Sequence, residues 1–160
     1  MLQALVLSAI MVVVTTAIHL AGLTLLLGWT RQHRSEVDAP GHTLSLFLFI
    51  LAIVIGVFLV HVVEIMAFAG VYMAIGEITS FETAVYFSAS TFTTLGMGDI
   101  YLDSHWRLLV AMEGLIGFLM IGWSTAFLIS LVGKLRALEE VCFDRDREAE
   151  QDADLSLIHI

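Results

Sequence analysis

The sequence predicts an all-α membrane protein with three transmembrane helices and one shorter, re-entrant helical segment, on three observations. Hydrophobic residues fill 59% of the 160 positions and charged residues only 14%, for a mean hydropathy of +0.93, whereas soluble domains carry about 25% charged residues. Three apolar runs exceed the ~20 residues needed to cross a bilayer as a helix. A fourth segment, between the second and third runs, is apolar but too short to cross. The net charge of −9 says little about partners, because half of the acids fall in a tail between Glu139 and Asp154; no nucleic-acid partner is expected. The lone cysteine, Cys142, allows no intramolecular disulfide and reads as a reduced thiol.

Residues 1–30 form the first predicted span. From Leu2 to Trp29 the only ionisable side chain is His19, and the run is longer than the apolar core of a secretory signal, so cleavage is not expected. A polar loop over 31–42 carries Arg31, Arg34, Glu36 and Asp38 and the Pro40-Gly41 step that permits a reversal. The second span, 43–73, is interrupted only by His61 and Glu64, and the third, 105–133, by Arg107 and Glu113. Between them, 80–93 reads as a helix N-capped by Ser80, at roughly 21 Å too short for a ~30 Å hydrocarbon core. Thr94-Leu95-Gly96-Met97-Gly98-Asp99 follows at 94–99, and its glycines end any helix.

Lys and Arg near the span ends favour the cytoplasmic side. Arg31 and Arg34 share a side with Lys134 and Arg136 if there are three spans, which puts the N-terminus outside and the acidic tail, 134–160, in the cytoplasm; Arg107 alone opposes this. No internal repeat is seen, so whatever the re-entrant segment builds must draw on other chains. Non-helical backbone at membrane depth is tolerated only inside protein or along a water-filled cavity, and a pore is the economical explanation. Glycines alternating with larger residues let successive carbonyls turn the same way, and such a column can replace a cation's hydration shell. The short helix would aim its partly negative C-terminal end at the membrane centre.

The run Thr93-Thr94-Leu95-Gly96-Met97-Gly98-Asp99 resembles the selectivity filter of the pore-loop potassium channel family, usually Thr-Val-Gly-Tyr-Gly-Asp. The arrangement around it, span, short Ser/Thr/aromatic helix, filter and Gly-containing span, resembles that family's pore module over 43–133, as in a small bacterial potassium channel. The resemblance implies a homotetramer in the bilayer that passes monovalent cations, with K+ ions on Thr94, Leu95, Gly96 and Met97, and Gly98 completing the filter. It implies that Asp99 supports the filter from behind, with Tyr86, Phe87, Ser90 and Thr93 around it. Gly114, Gly117 and Gly122 are hinge candidates in the third span, Gly117 lying closest to the family's hinge; close helix packing is the alternative. Ser124 and Thr125 are candidates for the wall of an inner cavity. Met97 departs from the family's tyrosine, whose hydroxyl bonds to the pore helix; Met offers at best a weak acceptor. The resemblance therefore carries cation conduction further than potassium-over-sodium selection. The first span has no Arg, and voltage sensing is not expected. A separate regulatory domain is not expected in a tail of this size.

His61 and Glu64 share a helix face, and Glu64 and Glu113 both lie ~11 to 12 Å from a span end. Two readings stand. Each carboxyl hydrogen-bonds to Ser or Thr of the short helix, or His61, Glu64 and Glu113 form a pH-sensitive brace on the filter. A metal site from the same three has few fixed ligands. His19 reads as a buried hydrogen-bonded residue. Glu77, Glu82, Asp99 and Asp103 give an acidic mouth or ordinary loop acids. In the tail, Leu135, Leu138 and Cys142 fall on one helical face. The expectation is a potassium channel in a membrane, a bacterial inner membrane by its minimal architecture, without cofactor or catalysis. The rivals are a weakly selective monovalent cation channel and a non-conducting accessory subunit.

Overall fold

The computed structural model describes the backbone of residues 2–33 and 43–158, and the side chains of 2–33, 44–133 and 147. Its elements are α1 (Leu2–Gln32), α2 (Thr43–Ala74), α3 (Phe81–Phe92) and α4 (Arg107–Ile158), with no strand among the described residues. The expected loop at 31–42 lies outside them from 34 onward. Three helical stretches, Leu2–Gln32, Leu44–Ala74 and Arg107–Gly133, are long and apolar enough to cross a membrane. The chain forms two compact units, Met1–Ser124 and Thr125–Ile160. The second is the continuation of α4; it does not stop at Gly133, because an isolated helical glycine costs only about 1 kcal/mol and good helix formers follow. The expected face of Leu135, Leu138 and Cys142 lies outside the described side chains.

The first unit buries a set of polar residues beside its apolar core and leaves many large apolar ones outside. Ser8, Thr15, His19, Glu64, Ser88, Glu113 and Ser124 are all buried, while Val13, Leu25, Phe58 and Phe118 are each more than 60% exposed. Exposed apolar surface on this scale is unfavourable in water by about 25 cal/mol per Å² and cost-free against lipid tails. Polar groups in turn are driven inward, since hydrocarbon cannot hydrogen-bond them. Thr15 follows the same rule locally, its hydroxyl donating to the Met11 carbonyl of its own helix.

α1 packs against α2, and α2 against α3. The first pair is antiparallel: Gly22 faces Val60, Leu26 faces Gly56, and Trp29 stacks on Phe49 at 5.5 Å, so numbers rise on one helix as they fall on the other. Glycine on each helix receives a bulky residue from its partner, the small-residue packing that brings membrane helices close. At its far end α2 is stopped by Gly76, whose φ of +80° turns the chain out of the helix. The next helix is α3, whose Phe87 meets Tyr72 of α2 edge-on at 5.1 Å. Phe68, Phe92 and Leu109 close this core at 0% exposure.

A Cβ at Gly22 would overlap the stiff Val60 side chain, whereas one at Gly28 would meet open space. Gly22→Leu should therefore lower stability by about 1–3 kcal/mol, the usual cost of overpacking. Gly28→Leu should be near neutral, and thermal unfolding of the two variants in the same detergent is the comparison.

Candidate functional site: a carbonyl ribbon at the end of α3

α3 starts and stops on side-chain oxygens. Ser80 at its N-cap accepts from the Thr83 N–H at 3.5 Å, and Glu82 sits in the first turn, where a negative charge complements the helix dipole. At the other end the Thr93 hydroxyl donates to the Ala89 carbonyl at 2.7 Å. With φ −79° and ψ 3°, Thr93 marks where the helix ends.

From Thr94 the backbone alternates. Thr94, Gly96 and Gly98 have φ of 60°, 56° and 72°, and Leu95 and Met97 between them do not have positive φ. Positive φ is free for glycine, but at Thr94 it is a strained conformation that the surroundings must enforce. They do so through four consecutive N–H groups. Thr94 N donates to the Thr91 carbonyl at 2.9 Å, and Leu95 N and Gly96 N both donate to the Ser90 carbonyl at 2.9 and 3.0 Å. Met97 N then donates to Ser90 Oγ at 3.2 Å. In a planar trans peptide the carbonyl of one residue points opposite to the N–H of the next. The carbonyls of Thr93, Thr94, Leu95 and Gly96 therefore face away from α3, in one row. Residues 93–99 are exposed.

The residues around the ribbon separate by role. Tyr86 donates to Asp99 Oδ2 at 3.0 Å, and this bond to a carboxylate pushes the phenol above its ordinary value, so that it stays a donor. Phe87 is buried against Tyr72. Ser90 serves the ribbon twice, through its carbonyl and its hydroxyl, a dual role that the sequence did not signal. Leu95 and Met97 are 66% and 62% exposed in the single chain. Of the expected acidic mouth, Glu77 is engaged in structure, its Oε2 accepting the Asp103 N–H at 3.0 Å. A crevice of about 590 Å³ lies between the ribbon and the start of α4, lined by Tyr86, Ser90, Met97, Tyr101 and Val110 among others.

α3 is held from beneath by a buried carboxyl. Glu113 of α4 receives the Tyr72 hydroxyl at 2.5 Å and the Ser88 hydroxyl at 2.6 Å, and Ser88 also lies 2.9 Å from the Ile65 carbonyl of α2. One carboxyl thus joins three helices. Gly117, a turn further along α4, sits against the Phe92 backbone, where any Cβ would overlap the carbonyl; Gly114 is close to Thr91 O, and Gly122 is open. Close approach is a sufficient reason for Gly117, and α4 runs unbroken through all three glycines.

Glu64 does not follow the same plan. Its two oxygens meet histidines, His19 Nδ1 at 3.0 Å and His61 Nδ1 at 2.8 Å, and its expected bond to the short helix is absent among the described contacts. His19, read from the sequence as a buried hydrogen-bonded residue, is buried and bonded as expected, and its partner is Glu64. Sequence alone could not pair residues 45 positions apart. Ser124 differs from its expected place on a cavity wall: it is 4% exposed, its Oγ 3.0 Å from His61 Nε2. The three residues foreseen as one group, His61, Glu64 and Glu113, divide between two networks.

Three helices long and apolar enough to cross a membrane, with polar groups buried between them and apolar ones turned outward, define an integral membrane protein. A family model described as "Ion channel" matches residues 46–134, more than half of the chain. The protein belongs to that ion channel family, and its function is that of an ion channel. No curated protein and no solved structure matches the chain.

Ser88→Ala removes the hydroxyl that α3 gives to Glu113 and leaves a buried carboxyl oxygen short of a donor. The expected loss is about 1–3 kcal/mol, read as a lower thermal midpoint in detergent. Gly117→Val, by forcing α4 off Phe92, should cost at least as much and is measured in the same assay.

Proposed function

We propose that the chain is the subunit of a potassium-selective channel, in which four copies bring their ribbons together around one axis and K+ passes down its gradient between the carbonyls. The observation that carries this reading is the row of carbonyls from Thr93 to Gly96, turned away from α3 by four N–H bonds to its last turn. One chain supplies one column, and a ring of carbonyls replaces the hydration shell of a cation. The half-exposed Leu95 and Met97 and the crevice behind the ribbon are surfaces that neighbouring copies would fill.

In this reading 80–93 is the pore helix of a re-entrant segment, 94–99 the filter, α2 the outer helix and 105–133 the inner one, within a module spanning 43–133. Thr94, Leu95, Gly96 and Met97 hold the ions, and Asp99 is kept in place by Tyr86. α1 is an additional helix outside the module. The Lys and Arg distribution puts the N-terminus outside and residues 134–160 in the cytoplasm, and the minimal architecture suits a bacterial inner membrane. A second reading, a weakly selective monovalent cation channel, is favoured by Met97. Its amide is tied to Ser90, but its side chain has no hydroxyl to brace the filter width.

The test is the reversal potential of the purified protein in a planar bilayer with K+ on one side and Na+ on the other. Displacement close to the potassium limit is expected. Reversal near zero with clear currents would establish the weakly selective channel, and no current in any gradient would favour a non-conducting accessory subunit. Met97→Tyr should move the reversal potential further toward the potassium limit by restoring a hydroxyl beside the ribbon; an unchanged value would remove Met97 from the argument about selectivity.

A further inference from the structure

The second concentration of chemistry-bearing side chains lies inside the helix bundle, away from the ribbon. His19 of α1 and His61 and Glu64 of α2 each bring one ligand atom to a group in which all three atoms lie within 4.8 Å of one another. His19 and Glu64 side chains are fully buried and His61 is 15% exposed. Both imidazoles turn Nδ1 to the carboxylate, one on each oxygen, at 3.0 and 2.8 Å. His61 is steadied from behind by Ser124 at 3.0 Å, the kind of outer contact that fixes the ring of a metal-bound histidine.

Two features ask for a positive charge at this point. The Glu64 carboxyl is fully buried, and its ion-pairing partners among the described residues are the two histidines alone, with no Lys or Arg; an anion inside a membrane bundle is expensive without a counter-charge. His19 Nε2 is also buried with no hydrogen-bond partner. If both Nδ1 atoms carry protons for the carboxylate, that Nε2 is a stranded lone pair. If Nδ1 instead binds a cation, Nε2 carries the proton, and the Trp123 ring, its centroid 5.6 Å from that of His19, offers a π face to an N–H group.

We propose that His19 Nδ1, His61 Nδ1 and the Glu64 carboxylate form an intramembrane binding site for a divalent first-row transition cation of the Zn2+ and Co2+ class. Two imidazoles exclude Mg2+ and Ca2+ as preferred occupants, since those cations take oxygen ligands. Bonds of about 2.0–2.1 Å hold neighbouring donors about 2.9–3.4 Å apart; each nitrogen lies 3.0 or 2.8 Å from its own carboxylate oxygen, and the three ligand atoms, within 4.8 Å of one another, close in on the cation by side-chain adjustment. The remaining coordination positions go to water, with the part-exposed face of His61 as the approach. A cation held here ties α1 to α2 and, through Ser124, to α4. Binding does not depend on the ion selectivity proposed above.

The full chain, purified in detergent without a histidine tag and stripped with a chelator, is titrated with Co2+ and followed by visible absorption, then challenged with Zn2+. One Co2+ per chain is expected, displaced by Zn2+, with affinity at least tenfold weaker in His19→Gln and Glu64→Gln and unchanged in His33→Ala and His105→Ala, which remove imidazoles outside the cluster. X-ray absorption on the Zn2+-loaded parent should show two imidazole nitrogens and at least one oxygen, a result that needs no variant to fold. No binding, a ligand shell without histidine, or binding lost only in the His33 or His105 variants would overturn the proposal and leave the cluster as a hydrogen-bonded clamp.

Discussion

Everything at the candidate site depends on where four backbone N–H groups go. Beyond Thr93 the chain leaves the helix, and its amides no longer meet carbonyls four residues back. They find them on the last turn of α3, where the Ser90 carbonyl accepts two and its hydroxyl a third. Because a peptide unit is planar, satisfying the N–H side dictates the direction of the carbonyl side. The row of free carbonyls is therefore not arranged separately; it is what remains once the donors are tied down. The cost is carried by Thr94, a non-glycine residue at φ 60°.

That solution works only if α3 itself is immobile, and the bundle beneath it is organised accordingly. A 12-residue helix has little stability of its own. It is fixed by Phe87 and Phe92 in the apolar core, by the close approach of Gly117 to the Phe92 backbone, and by Glu113, which gathers Ser88 of α3 and Tyr72 of α2 at one carboxyl. Buried polar networks stabilise strongly when each member has a partner and are costly when one does not. Glu113 meets that condition with two hydroxyls.

Glu64 solves the same problem with different chemistry. Where Glu113 joins α2, α3 and α4 through hydroxyls, Glu64 joins α1 to α2 through two imidazoles, with Ser124 of α4 behind one of them. α1 is thus keyed to its neighbour by a polar contact between side chains, set in an interface where glycines receive bulky residues. The two carboxyls sit in separate surroundings, so a change in one need not reach the ribbon by the same path as a change in the other.

Much of this architecture was legible in the sequence. Apolar runs of the right length announce spans because every peptide group in lipid must bond within its own helix, and Ser80, Gly96 and Gly98 announce the ends of α3 and the turn of the ribbon through their local conformational preferences. A carboxyl bonded to a serine of α3 followed from the cost of a buried charge, while the choice of Tyr86 as the partner of Asp99 came with the structure. What only the tertiary structure decided were the contacts between distant segments: Glu64 as the partner of the buried His19, Ser124 turned to His61 rather than to a cavity, and Gly117 seated on the Phe92 backbone. The physical reason is that hydropathy reports which solvent a helix faces, while the rotation of one apolar helix against another is set by a few glycine contacts and polar pairs, and those exist only once the helices have met.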